Sequence, residues 1–227
     1  MKRLLPLVVL TLTACAAGPG VNGPRVRPTA NPSAVIAAEL AFATLAQTKG
    51  QWTAFKDTST DDAVMFVPQT VRAQDWLKGR ANPPVAVKWQ PHQVWSSCDG
   101  SIAVTRGAWQ GPKATGYFTT VWQRQRDGRY KWLLDQGEPL AMALDAPEMI
   151  SAKVAECNPR PRPPPPSPAN RSYGQSEDGT LVWEARVDAH CGRTVRVRLW
   201  NGTGHDDMFT AAVEPPPVAE RPAGGCS

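Results

Sequence analysis

The stretch IAVTRGAWQGPKATGYFTTVWQRQRDGRYKWLLDQ (102–136) decides the fold of this chain. It contains three runs rich in β-branched and aromatic residues, which is the composition typical of strands. The runs are Ile102 to Gln110, Thr115 to Arg126 and Tyr130 to Gln136. Asp127-Gly128 between the last two is typical of a two-residue hairpin turn, because glycine supplies the positive φ that such turns need. The stretch therefore predicts three consecutive antiparallel strands.

A fourth strand is predicted just before this stretch. The run from Val85 to Ser97 leads into Asp99-Gly100, a second hairpin dipeptide. Pro91 in this run cannot donate a ladder hydrogen bond, so we expect an edge or a bulge there. A bulge would bend the sheet.

The residues upstream predict three helices and one strand. Ser33 is a candidate N-cap, and an apolar stripe near helical period follows it. The stripe consists of Val35, Ile36, Leu40, Ala43 and Leu45. After Gly50 we expect a short second helix with Trp52 and Phe55, a buried strand at 63–67 that stops at Pro68, and a short third helix at 73–78.

The C-terminal part is predicted to be a separate small β unit. Residues 147–157 suggest one more short helix, and the proline run that follows predicts an extended linker at 158–170. Three strands are predicted beyond it, at Leu181 to Ala189, Thr194 to Trp200 and Met208 to Val213. The domain boundaries are then 33–157 for an α+β domain and 171–227 for the β unit. A unit this small needs a disulfide or docking onto the first domain to be stable.

The N-terminal segment resembles a bacterial lipoprotein signal peptide. Lys2 and Arg3 precede a short apolar stretch that ends in Leu12-Thr13-Ala14-Cys15, an order similar to the lipobox motif. The resemblance implies a signal peptide at 1–14, lipidation of Cys15, for example with palmitate, and a flexible tether at 15–32. The alternative is an ordinary signal peptide cut at an Ala-x-Ala step. Ala16 and Ala17, with no aspartate after Cys15, resemble lipoproteins that are exported to the outer membrane, so the resemblance implies anchoring in the outer membrane facing the periplasm.

The composition excludes several classes of protein. The formal net charge is +5, and the basic residues are scattered rather than gathered on one face, so a nucleic-acid partner is not expected. No phosphate loop, nucleophile elbow or hydrolase triad is visible. No two cysteines have Cys-x-x-Cys spacing, and the histidines are His92, His190 and His205. His190 and Cys191 are adjacent, but neighbours in a strand point to opposite faces. We therefore expect no metal and no cofactor.

The cysteines predict two disulfides. Apart from Cys15 there are four, an even number suited to an oxidising compartment. Three pairings are possible. We favour Cys98 with Cys157 and Cys191 with Cys226, because each pair then lies inside one predicted unit.

The order of elements in the first domain resembles the nuclear-transport-factor-2-like superfamily. The matching residues are Gly50 to Phe55, Asp62 to Pro68 and Asp127 to Gln136, which look most like the polyketide-cyclase-like branch and branches of unknown function. The resemblance covers about residues 33 to 140. It implies a cone of helices on a curved sheet that encloses a pocket. Members include isomerases, dehydratases and cyclases as well as proteins that only bind or dimerise, so fold alone does not decide function.

The resemblance implies acid–base groups inside the cone, for which the candidates are Asp62, His92 and Asp135. Each also has a structural explanation. A turn hydrogen bond explains Asp62, and an exposed strand position explains His92. Simple alternation places Asp135 on the face opposite Trp132, so it faces either the pocket or the solvent, depending on which face the cone covers. The candidate ligand-binding residues are aromatic: Trp89, Trp95, Trp109, Tyr117 and Trp122.

The sequence therefore favours a lipid-anchored envelope protein whose α+β domain binds an apolar small molecule or another envelope protein without catalysis. Two alternatives stay open. One is a small-molecule isomerase, dehydratase or cyclase, and the other is a structural homodimer. The pocket distinguishes them, since an enzyme needs titratable groups in it, a binder needs an apolar lining, and a scaffold needs neither.

Overall fold

The computed structural model describes residues 29–159, 161 and 171–226, and these residues form a mixed α+β structure. The predicted signal peptide, Cys15, most of the tether and most of the proline-rich linker lie outside the described residues. The helices are α1 (Pro32–Lys49), α2 (Gln51–Thr58), α3 (Ala73–Leu77) and a short 3-10 helix (Val218–Glu220). Within the described ranges, no helix is long and apolar enough to cross a membrane.

A curved seven-stranded sheet, the main sheet, forms the centre of the protein. Its strands are β1 (Ser59–Phe66), β2 (Thr70–Arg72), β3 (Lys88–Ser96), β4 (Ile102–Gln110), β5 (Thr115–Arg124), β6 (Tyr130–Leu140) and β7 (Ser151–Val154). They are arranged in the order β2-β1-β6-β5-β4-β3-β7. The β1–β6 and β3–β7 pairs are parallel and the others are antiparallel. The predicted meander from β3 to β6 is thus observed.

A second, four-stranded antiparallel sheet follows. Its strands are β8 (Arg171–Gln175), β9 (Leu181–Val187), β10 (Arg193–Trp200) and β11 (His205–Val213), in the order β11-β10-β9-β8. The three strands predicted here are present. Strand β8 was not predicted, because its sequence RSYGQ has no apolar alternation and its pairing with β9 defines it.

Helix α1 begins earlier than the sequence analysis placed it. The N-cap is Asn31 rather than Ser33, since the Asn31 side chain accepts a hydrogen bond from the Ala34 N–H at 3.2 Å and Pro32 occupies the first turn. The buried face of the helix also differs from the predicted stripe. Leu40 is 42 % exposed, whereas Glu39 is fully buried.

The helix predicted at residues 147–157 was also wrong. Residues Ser151–Val154 form β7, which pairs in parallel with the outer edge of β3. The Ala155 N–H continues this pairing by donating to the Ser96 carbonyl at 2.9 Å. A short apolar segment does not distinguish helix from strand by periodicity alone, and here an open sheet edge decided the outcome.

The two faces of the main sheet are covered by different layers. On one face, side chains of α1, α2 and α3 pack with Trp122, Trp132 and Met65. On the other face, Val104, Val121 and other apolar residues of the main sheet share a core with the inner residues of β9 and β10. The second sheet is therefore docked onto the first.

Two disulfides are present with the favoured pairing. Cys98 is bonded to Cys157 and Cys191 to Cys226. The first joins the turn after β3 to the segment after β7. The second ties the C-terminal segment to the turn before β10. Closing loops of this length stabilises by about 4 kcal/mol each in the chain-entropy account.

Candidate functional site

A cavity lies between the helices and the main sheet, and we call it the helix-face cavity. Its volume is about 240 Å³. Most of its lining is aromatic or aliphatic, and Asp135 is the one titratable side chain among the lining residues. These are Phe42, Gln51, Trp52, Phe55, Met65, Val87, Trp89, Trp109, Phe118, Asp135 and Gly137.

A β-bulge turns Asp135 into this cavity. In the β5–β6 ladder Val121 is paired with Leu134, but the next residue, Trp122, is paired with Trp132. Leu133 is therefore an extra residue without a partner in the ladder, and the alternation of side chains shifts by one. The expectation that Asp135 lies opposite Trp132 was wrong for this reason, since both side chains point toward the helices.

The surroundings of Asp135 keep its carboxyl group protonated to an unusually high pH. Burial raises its pKa from 3.8 to about 7, and the nearby charge of Glu39 adds to the rise. A hydrogen bond from the Thr120 hydroxyl to Oδ2, 2.7 Å long, acts in the opposite direction. A group with this pKa can both donate and accept a proton near neutral pH.

A further carboxyl group, that of the fully buried Glu39, was not among the residues predicted from the sequence. Its Oε1 accepts a hydrogen bond from the Trp89 indole at 2.7 Å, and its Oε2 accepts from the Thr105 hydroxyl at 2.5 Å and from the Trp122 indole at 3.0 Å. Burial raises the pKa of Glu39, although all three hydrogen bonds lower it. The available signal was spacing, because Glu39 follows the buried Val35 by one helical turn.

Two glycines leave room for the Trp109 indole beside the cavity. A Cβ on Gly116 would lie 2.5 Å from Cε2 and Cζ2 of the Trp109 ring, and a Cβ on Gly137 would lie 3.2 Å from its Nε1. The absence of side chains at both positions therefore leaves a slot for the ring. Gly137 is two residues from Asp135 on the same face of β6, so the Trp109 N–H lies on the same side of the cavity as this carboxyl group.

The cavity lining also contains unused hydrogen-bond donors. Within the described part of the chain, neither the Trp52 nor the Trp109 indole N–H has a hydrogen-bond partner. Together with Asp135 they give an otherwise apolar cavity a few polar contacts. This is the usual composition of a small-molecule site.

Of the three predicted acid–base residues, the structure places only Asp135 in the cavity. Asp62 is exposed on the opposite face of the main sheet. His92 is the extra residue of a bulge in β3, between the pairs Pro91–Gly107 and Gln93–Arg106. His92 is half-buried and does not line the cavity, and burial lowers its pKa. No pair of the predicted groups therefore faces one ligand.

Of the five predicted aromatic residues, Trp89 and Trp109 line the cavity. Trp122 is fully buried beneath it and donates to Glu39. Trp95 packs against Phe209 of the second sheet, with ring centroids 5.2 Å apart. Tyr117 lies below the Arg106 guanidinium on the same outer face. The sequence did not indicate Phe42, Phe55 and Phe118 as lining residues.

Comparison with known proteins gives little guidance. No family model matches the sequence, and no curated protein matches it. One solved structure with a similar arrangement is a Parabacteroides distasonis protein described as a "putative ketosteroid isomerase". It is 16 % identical, the alignment covers 51 % of this chain and 98 % of that one, and the TM-score is 0.38.

Proposed function

We propose that the protein binds a small ring compound, mostly apolar and carrying one hydroxyl or carbonyl group, in the helix-face cavity. One observation carries the proposal: the lining is aromatic or aliphatic except for a few polar groups, and Asp135 is the only titratable one among them. An apolar cavity of roughly 150 Å³ is enough to hold benzene. The larger volume here accommodates one substituted ring or two fused rings.

A naphthol titration tests this proposal. We expect 2-naphthol to bind about tenfold more tightly than naphthalene, because its hydroxyl donates to the Asp135 carboxylate. Binding strengthens as the pH rises through about 7, where Asp135 ionises. The Asp135→Asn variant binds without this pH dependence. The measurement is quenching of tryptophan fluorescence, with Asp62→Asn as the matched control on the opposite face of the sheet.

Three results would contradict the proposal. One is the absence of saturable binding of either compound. The second is a pH dependence that persists in Asp135→Asn, since this would assign the titration to a different group. The third is a loss of the pH dependence in the Asp62→Asn control equal to that in Asp135→Asn, which would place the ligand on the outer face instead.

A second candidate function is proton transfer next to a carbonyl group. It is favoured by the pKa of Asp135, about 7, and by the unused Trp109 N–H on the same side of the cavity. In this reaction the Asp135 carboxylate takes a proton from the carbon next to the carbonyl, and the carbonyl oxygen, now an enolate, accepts a hydrogen bond from the indole. Return of the proton from Asp135 completes the isomerisation or exchange.

Deuterium exchange distinguishes this function from simple binding. Cyclohexanone in heavy water should gain deuterium next to its carbonyl faster with the wild-type protein than with Asp135→Asn, at least a hundredfold if Asp135 is the base. Equal rates with both proteins leave binding as the function. Trp109→Phe should slow the exchange while leaving 2-naphthol binding in place.

We also propose that the protein is anchored to the envelope by lipid on Cys15. The motif Leu12 to Cys15 supports the anchor, and the two disulfides support an oxidising compartment. The expected observation is labelling of the protein by radioactive palmitate in a bacterial host, and loss of the label in Cys15→Ala. A labelled Cys15→Ala protein would refute the anchor.

A further inference from the structure

A second cavity lies on the outer face of the main sheet, under the edge of the second sheet, and we call it the inter-sheet cleft. Its volume is about 380 Å³. Val64, Ile102 and Leu133 give it an apolar floor, while Asp62 and Gln123 are exposed polar residues at its opening. The opposite wall is formed by Trp183 and by residues of β8.

The wall contains a buried donor with no partner. Trp183 is 6 % exposed, and among the described residues its Nε1 finds no hydrogen-bond acceptor. The ring lies over Gly174, another residue that lines the cleft, with Nε1 2.4 Å from the position a Cβ would take there. A buried N–H without a partner costs about 1–3 kcal/mol, so a ligand that accepts from it is favoured.

The geometry points to the inter-sheet cleft as a binding site for a single sugar ring or a similar polyol. The ligand must accept a hydrogen bond from an indole N–H, donate to the Asp62 carboxylate and pair with the Gln123 amide. Hydroxyl groups are both donors and acceptors, so one hydroxylated ring meets all three demands. Its C–H face matches the apolar floor. The site is separate from the helix-face cavity, because Asp62 and Asp135 lie on opposite faces of the main sheet.

An NMR titration of the full chain tests this inference. The probes are methyl glucoside and N-acetylglucosamine, and the readout is the indole N–H signal of Trp183, assigned by its loss in Trp183→Phe. We expect the signal to shift and saturate with at least one probe, while the Trp109 signal stays unchanged. Asp62→Asn should weaken binding about tenfold.

Asp61→Asn is the matched control. Asp61 and Asp62 are neighbours in β1 and both are exposed, but only Asp62 lines the cleft. Both variants are surface changes that leave the fold intact. The inference is overturned if the Trp183 signal does not move with either sugar, if both aspartate variants weaken binding equally, or if the Trp109 signal moves instead. None of these outcomes depends on whether the helix-face cavity binds its own ligand.

Discussion

The two faces of the main sheet offer a direct comparison, because each holds a cavity in which a tryptophan ring lies over glycine. On the helix face Trp109 lies over Gly116 and Gly137, and on the outer face Trp183 lies over Gly174. The carboxyl groups differ. Asp135 is half-buried under the helices, near the fully buried carboxyl group of Glu39, whereas Asp62 is exposed at the mouth of its cleft. One sheet thus provides two chemical environments, and the layer packed on each face decides which.

Replacing Glu39 should have the largest effect on the helix face. Glu39→Ala removes the acceptor for Trp89, Trp122 and Thr105 and leaves a void in the core. We expect the free energy of unfolding to fall by about 3–5 kcal/mol. Urea denaturation followed by tryptophan fluorescence measures this. Glu39→Gln keeps the volume and one acceptor, so it should lose less, and equal losses would show that the hydrogen bonds contribute nothing.

The equivalent buried polar group on the outer face is Arg193. It donates to Gln136 at 3.1 Å and to Glu138, and its guanidinium lies over the Phe66 ring. Arg193→Ala leaves Glu138 without its partner, so we expect a loss of about 3 kcal/mol in the free energy of unfolding.

Arg196 in the same strand is the matched control for Arg193. It points outward and pairs with Asp207, and both side chains are 46 % exposed. Arg196→Ala should cost less than about 1 kcal/mol in the same urea experiment. Comparable losses for the two arginines would mean that the second sheet is not held in place by the buried pair.

Replacing Asp135 should stabilise the protein at neutral pH, in contrast to the losses expected for Glu39→Ala and Arg193→Ala. Since its folded-state pKa is raised to about 7, its favourable contribution is complete below about pH 4 and is lost as the pH rises through about 7. Asp135→Asn should therefore be more stable than wild type at neutral pH, by about 2–3 kcal/mol, and equally stable near pH 4. One side of the carboxyl group faces the cavity, so the gain in the free energy of unfolding is smaller than the full pKa shift would give. Urea denaturation across this pH range measures the difference, and a difference independent of pH would contradict the assignment.

The strands of the meander were predictable because local chemistry determines them. Asp99-Gly100 and Asp127-Gly128 have glycines with positive φ, as hairpin turns require, and β4 has the predicted bounds. Strands β7 and β8 were not predictable, since each is a short edge strand whose identity depends on a distant partner. The disulfide pairing was predictable because each pair of cysteines lies inside one of the two units that the strand pattern indicates.

The site was predictable only in part. Asp135, Trp89 and Trp109 were among the candidates, but the face of Asp135 depends on a bulge at Leu133 that only the pairing of two strands reveals. Glu39 was missed because a lone glutamate in a helix is normally exposed. Its burial depends on three donors, two of them indoles, which come from strands distant in the sequence.

The smallest predicted effect compares the two glycine slots. A Cβ on Gly116 in the central strand β5 would lie 2.1 Å from the Glu138 carbonyl oxygen, which is backbone of β6 and has little freedom to move. Gly174 lies in the edge strand β8, and there the three atoms nearest to the Cβ position all belong to the Trp183 ring. We expect Gly116→Ala to cost about 2–3 kcal/mol and Gly174→Ala about 1 kcal/mol, because an edge strand and a side chain can shift.

The indole signals separate the two cases further. Gly174→Ala should displace the Trp183 ring and shift its N–H resonance while leaving that of Trp109 unchanged, and Gly116→Ala should do the reverse. Sugar binding in the inter-sheet cleft should weaken only in Gly174→Ala, and naphthol binding only in Gly116→Ala. A glycine variant that shifted the signals of both tryptophans would show that the two faces of the sheet are coupled. The layer packed on each face would then not determine the environment of its cavity independently.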